Sequence, residues 1–107
     1  MFYARNDSGY KTPIEGLRMK TLSYGEKTLL TEFRFQKGSE LPLHDHPHEQ
    51  TGYLVSGAIR LHIGDDTHDV RPGDSWSIPG GVPHGADIID DTVAIEVFSP
   101  IREDYLP

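Results

Sequence analysis

Turn-forming residues punctuate this chain from end to end, and they limit what it can fold into. Eleven glycines and eight prolines are spread over 107 residues. Both break helices in their interior, so a helix bundle is disfavoured at this density. The stretches between them are short and rich in β-branched and aromatic residues. Residues 28–35 (TLLTEFRF) stop at Lys37-Gly38, 51–56 (TGYLVS) at Gly57, and 58–63 (AIRLHI) at Gly64-Asp65-Asp66. Residues 74–78 (DSWSI) lie between two Pro-Gly pairs, and 92–98 (TVAIEVF) end before Pro100. Short strands between regular turn signals predict an all-β sandwich or barrel. The length predicts one domain over residues 1–107.

Alternation along two segments says which faces are buried. In 58–63, Ile59, Leu61 and Ile63 share one face, and Arg60 and His62 the other, as in a half-buried antiparallel strand. In 92–98, Val93, Ile95 and Val97 form one apolar face, while Ala94 and Phe98 flank Glu96 on the other. A carboxylate in a strand that is apolar on both sides is costly to bury unless something uses it. Phe33, Phe35, Tyr53 and Trp76 are expected in the core.

Charge and missing residue types exclude several functions. The formal net charge is −7, which argues against nucleic acid and anionic membranes as partners. No apolar run approaches the roughly 20 residues needed to span a bilayer. The first residues carry no signal-type apolar stretch, so a cytoplasmic protein is expected. There is no cysteine, which removes disulfides, thiolate metal sites and cysteine nucleophiles.

Six histidines are present, three of them within five residues: His44, His46 and His48. Residues i and i+2 of a strand point to the same side, so His44 and His46 can aim two imidazoles at one point. Pro47 interrupts strand parity, and a bend there could bring Gln50 or Glu49 to the same place. His84, framed by Pro79-Gly80-Gly81-Val82-Pro83, offers a further ligand at the start of another strand. The plain alternative is a His-rich surface loop without metal. His48 is expected to face solvent or support the ligands, and Glu49 to lie on the surface. His62 and His68 are expected on the surface of a hairpin, and Asp87, Asp90 and Asp91 in a solvated turn.

With these residues in place, the chain resembles the cupin superfamily. The first cupin motif, Gly-x5-His-x-His-x3–4-Glu-x6-Gly, is matched by Gly38, His44, His46, Gln50 and Gly57. The second, Gly-x5-Pro-x-Gly-x2-His-x3-Asn, is matched by Gly73, Pro79, Gly81 and His84. Gln50 replaces the Glu and Ile88 the Asn. The resemblance implies a double-stranded β-helix (jelly-roll) barrel, a homodimer, and a divalent metal held by His44, His46, Gln50 and His84. Such a neutral set leaves the metal its full positive charge. Imidazole nitrogens and an amide oxygen suit Mn, Fe, Ni, Co, Cu or Zn.

The tail narrows the likeness. Glu96-Val97-Phe98-Ser99-Pro100-Ile101-Arg102 and the Asp104-Tyr105-Leu106 ending look like those of the pectin-degradation cupins that linearise unsaturated uronates. By that likeness Glu96 stands where the group has a catalytic Asp, Phe98 matches an active-site Phe, and Arg102 a substrate-binding Arg. Glu for Asp adds one methylene and alters the reach to substrate.

The reading is a metal-dependent cupin enzyme acting on a small carboxylated sugar, with ring opening of 4,5-unsaturated uronates as the implied reaction. Two alternatives stand beside it: a metal-dependent dioxygenase, and a small-ligand-binding cupin without turnover. Glu96 is either a proton-transfer group or an edge-strand carboxylate. Arg102 holds either substrate or an ion pair within the tail.

Overall fold

The computed structural model describes residues 1–107 as eight strands: β1 (Lys11–Ile14), β2 (Leu17–Tyr24), β3 (Leu29–Phe35), β4 (Glu40–His44), β5 (Glu49–Ile63), β6 (Asp66–Val70), β7 (Ser75–Ile78) and β8 (His84–Ser99). A short 3-10 turn, Glu103–Tyr105, follows. No helix is long and apolar enough to cross a membrane. The hydrogen-bonded order is β1-β2-β3-β8-β5-β6, with β4 also on β8 and β7 also on β5.

The two long strands organise the rest. They pair antiparallel with one another from Glu49↔Ser99 to Ile63↔His84. Register shifts between Leu54 and Ile59 bend the pair, since a bulge increases local twist and turns the strand. Each long strand therefore serves two partners. The first part of β8 pairs with β4 and the last part with β3. The first part of β5 pairs with β7 and the last with β6. This gives the all-β jelly-roll barrel that the turn spacing and resemblance predict.

Two expectations change here. Segments 51–56 and 58–63 belong to one strand, because the interruption at Gly57 is absorbed by the bulged stretch. Asp87, Asp90 and Asp91 lie within β8 rather than in a turn, held by its pairing with β5. Asp87 is half-buried and the other two are exposed.

Period-2 patterning fills the barrel. On β3, Leu29, Thr31, Phe33 and Phe35 are buried. On β5, Leu54, Ile59 and Leu61 face in; on β8, Ala86, Ile88, Ala94 and Phe98 do. Each fully buried Leu, Ile or Phe contributes about 1.5–3 kcal/mol relative to exposure. Phe33 and Phe35 lie in the core as expected, and Trp76 packs against it. Tyr53 does not: it is 49% exposed, because inward Leu54 next to it sends its side chain to the outer face.

Candidate functional site

The three expected histidines converge, by a route that differs from simple strand parity. β4 ends at His44, so His46 lies in the bend before β5 rather than on the strand. Pro47 explains the break, since it has no N–H to donate to a ladder. His44 and His84 are direct cross-strand partners between β4 and β8, and their rings stand 4.3 Å apart. His46 is brought in by the Pro79-Gly80-Gly81 loop, where the Gly81 N–H donates to the His46 carbonyl at 2.8 Å. A side chain at Gly80 would collide with the Pro47 carbonyl, so the two loops close only because that position is bare. One ligand-type atom from each of the three histidines lies within 4.8 Å of the others.

Hydrogen bonding sets the tautomer of each ring. Nδ1 of His44 lies 2.9 Å from the Pro42 carbonyl, that of His46 2.9 Å from the His48 carbonyl, and that of His84 2.9 Å from the Val82 carbonyl. A carbonyl only accepts, so in each case Nδ1 carries the proton. In the neutral ring Nε2 then presents a lone pair, the arrangement metal-binding histidines use. Burial pulls the pKa of His46 and of His84 below the ordinary imidazole value, which favours the neutral form. His84 Nε2 is buried and has no hydrogen-bond partner.

Gln50 stands beside the three histidines. It is 4% exposed, and its Oε1 stands 2.7 Å from His46 Nε2. Its amide nitrogen is engaged elsewhere, donating to Glu96 Oε1 at 2.9 Å. Two lone pairs therefore face each other where His46 is neutral, beside the orphaned Nε2 of His84. A cation among these acceptors resolves both conflicts, so the residues present fit a divalent transition metal. Glu49 is exposed and does not belong to the cluster. His48 supplies its backbone carbonyl to His46, and its own Nδ1 is buried without a hydrogen-bond partner. His62 bonds to Thr67 and Asp87 away from the cluster, and His68 is exposed.

The cluster opens onto a cavity of about 320 Å³, whose wall includes His44, Gln50, His84, Glu96, Phe98 and Arg102. Glu96 is not an edge-strand carboxylate, because β8 runs between β3 and β5. Its Oε1 accepts from Gln50 and, at 3.0 Å, from Trp76 Nε1, and Oε2 has no protein partner. Burial pushes its pKa up to about 7, against the opposing pull of the two donors and of Arg102. Phe98 is 1% exposed and sets its ring edge-on to His46 at 5.7 Å. Arg102 lies over Tyr105 at 4.0 Å and Phe98 at 5.2 Å. Its Nε and Nη2 both donate to the Asp104 carboxylate. Arg102 is thus paired within the tail and also lines the cavity.

Trp76 and Tyr105 line the cavity and Asp104 holds Arg102, roles that the sequence alone did not assign. For Trp76 a signal was available: Gly52, a glycine inside a strand, often marks a close approach by another group.

A family model described as "Cupin domain" matches residues 31–99. Oxalate decarboxylase OxdC of Bacillus subtilis (strain 168) is 27% identical over 78 residues, 68% of this chain and 20% of its own. The chain thus spans about a fifth of the length of that curated relative. KdgF from Halomonas sp. superposes with a TM-score of 0.92 at 27% identity, over 99% of this chain and 100% of its own. An RmlC-like cupin from Shewanella frigidimarina NCIMB 400 does so with the same score and identity, over 99% and 96%.

Proposed function

The chain belongs to the cupin family, and from that premise we propose that it is a metal-dependent enzyme of small carboxylated sugars. The proposed reaction opens 4,5-unsaturated uronates to their linear keto form. One observation carries this reading. A carboxyl group with one unengaged oxygen, a guanidinium and the imidazoles of His44 and His84 line one cavity of about 320 Å³, a size suited to a single sugar ring.

His44, His46, His84 and Gln50 would hold the metal, which would supply Lewis acidity toward the sugar's oxygens. Removing the proton of the anomeric hydroxyl breaks the bond from C1 to the ring oxygen, leaving an aldehyde and an enolate. Returning a proton to C4 gives the ketone. Nothing is gained or lost overall, so one carboxyl group that accepts and then releases a proton is sufficient. Glu96 fits that task, because Oε1 is occupied by two N–H donors and Oε2 is left for substrate. Arg102 would bind the sugar carboxylate through the guanidinium nitrogen that Asp104 does not use. Phe98 and Trp76 keep water from the reacting carbons. The net charge of −7 does not oppose an acidic substrate, since the metal and Arg102 set the local field.

The direct test is to incubate metal-loaded protein with 4,5-unsaturated galacturonate and follow the ultraviolet absorbance of its conjugated double bond. Rapid loss, abolished by a chelator, is expected. No loss would overturn the reaction and send the search to oxygen-dependent substrates.

Arg102→Ala should raise KM for the uronate by about 10–100-fold with a smaller change in kcat, given the roughly 1.5–3 kcal/mol of a charged hydrogen bond. An unchanged KM would leave Arg102 with the tail ion pair alone. The proposal also includes a homodimer. Tyr53 and Val55 support it, standing 49% and 48% exposed on the outer side of β5, since apolar surface of that kind is a common docking face. Light scattering should give twice the chain mass; a monomer mass would remove this part.

A further inference from the structure

Three neighbouring strands, β7, β5 and β8, place Trp76, Gly52 and Glu96 in one row. Gly52 pairs with Trp76 on one side and with Glu96 on the other. A Cβ at Gly52 would collide with the Trp76 indole at Cε2, Nε1 and Cζ2. The indole therefore lies across the bare backbone of β5, and its Nε1–H reaches the Glu96 carboxylate on the next strand but one. With any side chain at position 52, two residues flanking the same strand position would be kept apart.

The row continues into the ligand set. Glu96 Oε1 receives Trp76 Nε1–H and also the Gln50 amide N–H. Gln50 thereby turns its other end, Oε1, toward His46 Nε2. An amide has one end that attracts a cation and one that repels it, so its direction decides whether Gln50 can be a ligand. An indole N–H is only a donor, so it requires an acceptor oxygen at Oε1 and excludes a proton from that atom. That oxygen then accepts only, so it selects the N–H end of the Gln50 amide rather than its oxygen end.

The geometry points to Trp76, lying across Gly52, as the positioning residue that orients Gln50 Oε1 toward the histidines by way of Glu96. This rests on the reading of Gln50 as a ligand. It does not depend on which substrate is turned over.

The test is titration of the apo-protein with Co²⁺, read by the visible absorption of the bound ion. Trp76→Phe keeps a ring over Gly52 and deletes only the N–H. It should weaken Co²⁺ binding by about 10–100-fold, the usual cost of losing a group that orients a ligand, and should alter the absorption bands. Gly52→Ala should act in the same direction by displacing the indole, and it carries the test if Trp76→Phe does not fold. A Gln50→Glu background separates orientation from general loosening, because a carboxylate presents an oxygen whichever way it turns. There Trp76→Phe should change affinity by less than about 2-fold, the non-additivity that a direct coupling produces.

Equal Co²⁺ affinity and spectra in wild type and in the folded variant would overturn the role of Trp76 alone. An equal loss in the Gln50→Glu background would reduce Trp76 to packing. A wild type that binds no Co²⁺ would overturn the ligand reading, and this inference with it. None of these outcomes depends on uronate turnover.

Discussion

Glu96→Gln is expected to lower turnover of an unsaturated uronate by about 10²–10⁴-fold, the usual contribution of a positioned proton-transfer group, while metal content stays at the wild-type level. The substitution is close to isosteric, and the local bonding tolerates it. The new amide can place its oxygen where Oε1 now accepts from Trp76 Nε1 and Gln50 Nε2. Its NH₂ then occupies the position of Oε2, which has no protein partner to lose. Gln50 keeps its direction and the histidines keep their surroundings. What disappears is an atom that can take and return a proton. Turnover measured alongside metal analysis of the same preparation checks this. Normal turnover with normal metal would show that Glu96 serves only as an acceptor for its two donors.

His84→Ala is expected to weaken metal binding by more than about 100-fold, beyond the range for groups that merely support a ligand. His84 is 3% exposed, and its Nε2 is buried without a hydrogen-bond partner. It also joins the two halves of the cluster, since it pairs with His44 across β4 and β8. An ion that binds only the folded state raises the melting temperature, so a chelator should lower that of the wild type. The same chelator should leave the variant unchanged. Comparing apo forms isolates the metal effect from the packing lost with a buried ring. Full metal occupancy in the variant would remove His84 from the ligand set.

The candidate donor atoms were legible because chemistry restricts which residues can supply them. A chain without cysteine and with three histidines in five residues has few ways to hold a transition metal. The frame around His84 was legible for a related reason. The Pro79-Gly80-Gly81 run is a turn in any fold, and Gly80 is small because Pro47 presses on it. The error about His46 is instructive. Spacing alone put it on one strand with His44, whereas Pro47 ends the ladder first, and a hydrogen bond from Gly81 holds His46 in place. Parity describes only residues within the same ladder. Placing Asp87, Asp90 and Asp91 in a turn failed similarly. Their acidity suggested solvent, but pairing with β5 carries the strand through them.

The sequence by itself determined the β class, the turns, the inward stripe of Ile59 and Leu61 on β5, the place of Phe33 and Phe35 in the core, and the set of candidate ligands. Each of these is local: turn chemistry, side-chain alternation and donor type depend on a few neighbouring residues. The tertiary structure alone decided that His84 stands opposite His44, that Trp76 crosses Gly52 to Glu96, and which oxygen of Glu96 is left without a protein partner. It also decided that Asp104 holds Arg102 over Phe98 and Tyr105. These depend on register between strands far apart in the chain. Alternation says which face a side chain occupies, but not which residue lies opposite it. That second choice follows from bulges, loop lengths and close packing of the whole barrel.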